Sequence, residues 1–236
     1  MIWLGKDLVT TPKWIMGDDY VEYWSAGKLN ISGGNPYDPE QLLPLQLSTG
    51  KVFGLPVMMW NPPWMLTIAM PFGAIIYPIS RTIWMLCFVL LIFFSVNSLW
   101  TYFGGSQDTR YLSWIIGFTF YPVLEALKSG QVNPIPLLGV TGFLPSIQKK
   151  KYFLAGVFLS FLILKPHLLY LFVLAVLFWT LNERRWFVFL GGFASFIFGT
   201  VIAPGHQPIL LRNPELSSNR LGDAVYWWNS THNHRS

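Results

Sequence analysis

Two adjacent aspartates, Asp18 and Asp19, open a polar stretch in a chain that is otherwise oily. Asp19, Tyr20, Tyr23 and Gly27 recur at helical spacing and so share one face. The turn Gly33-Gly34-Asn35-Pro36-Tyr37 then stops that helix. A carboxylate on such a face can serve as a base toward a hydroxyl. It can equally just cap the helix start, as either aspartate could. Two further polar clusters lie downstream. Gly130-Gln131-Val132-Asn133-Pro134 forms a turn, with Glu125 and Lys128 just before it. Lys165-Pro166-His167 interrupts an apolar run. A lysine beside proline and histidine suits an anion, although a lysine at the end of a span also snorkels to the interface.

These groups must be positioned by apolar helices. Of 236 residues, 53% are hydrophobic, 17% aromatic and only 11% charged. A soluble domain carries about 25% charged residues, so lipid is the expected solvent. The mean hydropathy of +0.42 agrees. Twelve tryptophans suit a protein with two membrane–water interfaces. The net charge of +5 comes from scattered basic residues rather than a basic face, which argues against nucleic acid. A single cysteine, Cys87, rules out an intramolecular disulfide and a cysteine metal cluster.

The apolar runs predict six spans: Ser80–Phe103, Tyr111–Leu127, Val132–Ile147, Tyr152–Leu164, His167–Leu181 and Trp186–Ala203. Several are short. The shorter run Trp64–Tyr77 contains Pro71 and follows Asn61-Pro62-Pro63, which predicts a half-inserted or interfacial helix, with a short true span as the competing reading. Arg110, Lys149-Lys150-Lys151 and Arg184-Arg185 fall in alternate loops, so all three can face the cytoplasm. The polar turns at Lys128–Asn133 and Lys165–His167, and everything before Ser80, then face outward. The expected organisation is an outer catalytic loop region over residues 1–79, a transmembrane helix bundle over 80–203, and an outer polar tail over 204–236.

The order of these motifs resembles the polyprenol-phosphate-mannose-dependent mannosyltransferases, glycosyltransferase family 87 of the GT-C superfamily. The shared pattern is Asp19-Tyr20-Val21-Glu22-Tyr23, Ala26-Gly27 and Gly33-Gly34-Asn35-Pro36-Tyr37-Asp38, then Asn61-Pro62-Pro63. It continues through Gly130-Gln131-Val132-Asn133, Ala155-Gly156, Lys165-Pro166 and Arg184-Arg185-Trp186, covering about residues 17–192. The resemblance implies an all-α, GT-C-like polytopic bundle in the cell membrane with its active site on the extracytoplasmic side. It implies transfer of a hexose, mannose first, from a polyprenyl-phosphate sugar to an acceptor hydroxyl of a glycan or glycolipid, with inversion. The family's catalytic aspartate matches Asp19. The flanking helices of the family are not seen at either end, so the chain is expected to be a fragment.

Within that frame, Lys165 and His167 are candidates for the donor phosphate, because a phosphate leaving group calls for positive charge and hydrogen-bond donors. Gln131 and Asn133, with Tyr20 and Tyr23, are candidates for sugar or substrate binding. There is no G-x-G-x-x-G after a strand, no P-loop and no separated D-x-D pair. No cofactor and no obligatory metal are therefore expected. The competing readings are a non-catalytic polytopic protein, such as a lipid-linked-sugar flippase or transporter, and an inactive fragment. Transporters usually carry internal repeats and mid-membrane polar groups, and this sequence shows neither.

Overall fold

A computed structural model describes residues 18–50 and 55–203. The expected outer tail, 204–236, lies outside the described residues. The described chain is all-helical, with ten α-helices and no strand. They are α1 (Tyr20–Ile31), α2 (Pro39–Leu47), α3 (Met65–Gly73), α4 (Tyr77–Tyr102), α5 (Tyr111–Thr119), α6 (Tyr121–Ser129), α7 (Pro134–Gln148), α8 (Tyr152–Ser160), α9 (Pro166–Asn182) and α10 (Trp186–Ile202). A 3-10 turn, Phe161–Leu164, extends α8.

Local chemistry sets the boundaries. Asp38 caps α2, accepting from the Glu40 N–H at 3.0 Å, and Pro39 follows at the first helical position. Phe120 adopts an extended backbone, and Pro122 opens the next helix. The expected single span Tyr111–Leu127 is therefore two nine-residue helices. Lys165 has φ −135° and ψ 70°, as a residue before proline should avoid the helical region. Pro166 thereby ends the α8 segment and leaves Lys165 at a corner.

Every predicted span is helical, but among the described residues only α4 is long and apolar enough to cross a membrane. It has 26 residues and begins at Tyr77, three residues before the expected start. The segments Tyr152–Leu164, Pro166–Asn182 and Trp186–Ile202 are shorter apolar helices. Exposed large apolar side chains line α9 and α10, among them Tyr170, Phe178, Phe187, Phe193 and Phe198. A contiguous apolar surface of that kind needs lipid or protein against it.

Two helix pairs pack backbone to backbone. A Cβ on Gly27 would overlap the Ala69 carbonyl, and one on Gly73 would overlap the Lys28 N–H. Gly156 and Gly191 allow the same approach of α8 to α10. Small residues at crossings are how helices gain dispersion contact in lipid, where no hydrophobic force drives them together. The main core lies where α1 and α3 meet α4. Trp84 is fully buried there, stacked on Tyr23 at 5.6 Å between centroids and meeting the Phe72 ring edge-on at 4.8 Å.

Gly27→Ala should therefore force α1 and α3 apart. Overpacking of this kind costs about 1–3 kcal/mol, visible as a lowered thermal midpoint of the purified chain in detergent. Gly192→Ala is the control, because a Cβ there meets the Gly156 carbonyl oxygen at 3.4 Å, ordinary contact. Equal midpoints for the two variants would contradict the close crossing.

Candidate active site

The two aspartates that open α1 have different surroundings. Asp18 is only 5% exposed. Its carboxylate accepts from the Tyr20 N–H at 3.1 Å, from Arg81 Nε at 2.9 Å and from the Tyr77 hydroxyl. Burial pushes the Asp18 carboxyl up, while Arg81, Tyr77 and the Tyr20 N–H favour its charged form. Arg81 also donates to the Lys128 carbonyl at 3.0 Å. Asp18 is thus a cap and something more: it ties the start of α1 to the start of α4 and, through Arg81, to the end of α6.

Asp19 is half-buried at the N-cap position of α1 and makes no side-chain capping bond. Its charge, with that of Glu22, reaches Lys165. Glu22 lies three residues on, so the two carboxylates occupy one side of α1. Burial raises the Glu22 carboxyl to about 7, against a hydrogen bond from the Tyr23 hydroxyl; Asp19 raises it further and Lys165 lowers it. Burial also lowers Lys165, while Asp19 and Glu22 favour its protonated form.

Lys165 Nζ donates to Gln131 Oε1 at 3.5 Å, a long contact, and Asn133 Nδ2 donates to the same oxygen at 3.0 Å. Asn133 Oδ1 is buried with no partner among the described residues. The Gln131 turn is held against α1 by its glycine. Gly130 has φ 72°, which suits glycine, and a side chain there would run into Tyr20. The Gly130 carbonyl accepts from Trp84 Nε1 at 2.9 Å. Asn61 Nδ2 lies 3.5 Å from the Leu164 carbonyl, beside Lys165 in the chain.

Gln131, Asn133 and Lys165 therefore meet, with the charge of Asp19 nearby, although the four come from three separate segments: the start of α1, the Gly130 turn and the Lys165 corner. The other candidates are placed differently. His167 is exposed in the first turn of α9, and its side chain makes no hydrogen bond to a described residue. Tyr20 is fully buried, its hydroxyl on Ser80 and its ring 5.2 Å from that of Trp84. Tyr23 is 3% exposed. Burial raises both phenols. The two tyrosines form the packing beneath the site and leave no open face for a ligand. Glu22 and Arg81 were not singled out by the sequence. Helical spacing from Asp19 was the available signal for Glu22; Arg81 gave none beyond an arginine at the edge of an apolar run.

The described residues are all helical, with one helix long and apolar enough to cross a membrane and with carboxylates, a lysine and amides gathered at one end, which fits a membrane-associated transferase. A family model for glycosyltransferase family 87 matches residues 60–229. The chain belongs to glycosyltransferase family 87, and its substrates are by that membership a sugar donor and an acceptor. Arg81, Gln131, Asn133, Lys165 and His167 fall within the matched stretch; Asp18, Asp19 and Glu22 precede it. No curated protein matches the chain. No solved structure matches it either.

The raised Glu22 carboxyl has a pH consequence. The unfolded group ionises near 4.5 and the folded one near 7. Between those values the folded chain holds the extra proton, so stability falls as pH rises from about 4.5 to about 7. Glu22→Gln should remove that component, flattening the thermal midpoint against pH in this window. An unchanged slope would mean that Glu22 ionises as an ordinary surface carboxylate.

Proposed function

We propose that the chain transfers a hexosyl group, mannose foremost, from a polyprenyl-phosphate sugar to an acceptor hydroxyl at the outer membrane face. The single observation supporting this most strongly is Lys165 Nζ reaching Gln131 Oε1 at 3.5 Å, on the oxygen that also accepts from Asn133, with Asp19 and Glu22 near enough for their charges to act on the lysine. In the proposed reaction the acceptor oxygen attacks the anomeric carbon from the face opposite the phosphate. The bond between that carbon and the phosphate oxygen breaks, and the polyprenyl phosphate leaves with the bonding electrons. The acceptor proton passes to the Asp19 carboxylate. Attack and departure on opposite faces give inversion.

Each residue then has one task. Asp19 is exposed enough to meet an acceptor and makes no capping bond that would occupy its carboxylate. Lys165 counters the charge that gathers on the departing phosphate. The unpartnered Asn133 Oδ1 is an acceptor for a sugar hydroxyl. Gln131 holds both the lysine and the asparagine. In this reading Asp18 is a structural residue and not the base, which its hydrogen bonds to Arg81, Tyr77 and the Tyr20 N–H support. A lipid-borne donor also accords with the apolar faces of the bundle, since it arrives from the bilayer.

The test uses membranes carrying the chain, a polyprenyl-phosphate mannose and a panel of acceptor glycolipids. Asp19→Asn should lower turnover by about 10²–10⁴-fold, the usual contribution of a general base. Lys165→Ala should weaken donor use by about ten- to hundredfold, the worth of one charge-assisted contact. Both variants should remain folded. Full activity in Asp19→Asn would remove it as the base, and unchanged donor kinetics in Lys165→Ala would leave it a snorkelling residue.

A further inference from the structure

At the far end of α4 from the Asp19 site is a polar cavity. Asn97, at its wall, lies sixteen residues along the helix from Arg81, about 24 Å at 1.5 Å per residue. That approaches the thickness of a hydrocarbon core, about 30 Å. The cavity has a volume of about 580 Å³ and is formed by the last turns of α4, the start of α5 and the end of α7. One part is cationic and polar, with Arg110, Lys149 and Gln148; the other is aromatic, with Phe93, Phe94 and Trp114.

Two details distinguish this cavity from a loop that merely carries positive charge. Arg110 donates through Nη2 to Gln107, but its Nε–H is buried with no acceptor among the described residues. A residue needed only to set orientation would keep that group in water, since a buried unpaired donor is costly. The aromatic part, meanwhile, is already internally satisfied. Trp114 donates to Asn97 Oδ1 at 2.9 Å and packs on Phe93 at 5.2 Å between centroids, while Phe94 is 60% exposed. The cavity thus sets a cationic end, where Arg110 keeps an unpaired donor and Lys149 lines the wall, beside an exposed apolar wall. Lys150 and Lys151 continue the positive charge outside it, with Asp108 the acidic residue of the neighbouring loop.

We propose that this cavity binds the headgroup of an anionic phospholipid in the leaflet opposite the Asp19 site. The phosphate accepts from Arg110, whose fork geometry suits phosphate oxygens, and pairs with Lys149. The first methylenes lie along Phe93 and Phe94. Basic pockets between membrane helices take acidic headgroups in this way. The proposal rests on the bundle lying in a bilayer and not on the assignment of Asp19.

The test is native mass spectrometry of the full chain in detergent with phosphatidylglycerol or phosphatidylcholine. The chain should retain phosphatidylglycerol at least tenfold more than phosphatidylcholine. Arg110→Gln with Lys149→Gln should abolish that preference, and Lys149→Gln alone, at an exposed position, should reduce it several-fold with the thermal midpoint unchanged. Lys150→Gln with Lys151→Gln should leave it intact, and millimolar inorganic phosphate should not displace the lipid. Equal retention of the two lipids would overturn the proposal. So would displacement by inorganic phosphate, which marks a free-phosphate site, or loss in the Lys150/Lys151 variant, which marks a diffuse basic surface.

Discussion

The buried pair of Asp18 and Arg81 is the constraint on which the polar end of the molecule depends. Side-chain exposure is 1% for the aspartate and 18% for the arginine. Together they join three pieces: the start of α1, the start of α4, and the Lys128 carbonyl at the end of α6. A buried ion pair is not by itself a source of stability, because desolvation offsets most of its attraction. Its effect here is geometric. With α1 fixed in this way, Asp19 and Glu22 are presented to Lys165, and the Gly130 turn is pressed onto Tyr20. The aromatic packing around Trp84 fills the space beneath.

Much of this was legible from residue types and spacing. The apolar runs located the helical stretches from Ser80 onward, though Tyr111–Leu127 was read as one helix where there are two, and Pro166 accounted for the break that exposes Lys165. The polar turns around Gln131 and Lys165 were expected on one side, and they do meet there. The rest depends on pairings far apart in sequence. Nothing local marks Arg81 as the partner of Asp18, or Gly73 as the residue that lets α3 approach Gly27. Tyr20 and Tyr23 looked available because they shared a face with Asp19. That face is where α1 is buried against α4, so helical spacing identified a shared side but not what covers it. The division at Phe120 was likewise hidden, since hydrophobicity runs unbroken through it and only the backbone ahead of Pro122 changes.

Family membership rests on residues 60–229, a stretch that includes Lys165 and the Gln131 turn but not the two aspartates. The charge of Asp19 acts on Lys165 across that boundary. The Asp18–Arg81 pair crosses the same boundary, linking a residue before the matched stretch to one within it. That pair therefore carries the central claim: the opening polar segment and the helix bundle form one site.

A double-mutant cycle on Asp18→Asn and Arg81→Gln, read by thermal or denaturant unfolding of the chain in detergent, measures that link directly. Each single variant breaks the Asp18–Arg81 ion pair, and breaking a buried pair typically costs about 3–5 kcal/mol. The double variant should cost clearly less than the sum, with a coupling of at least about 1.5 kcal/mol. Asp19→Asn combined with Arg81→Gln should be additive. Additivity in the Asp18–Arg81 cycle would contradict the account, because the opening segment would then be held by something other than this pair.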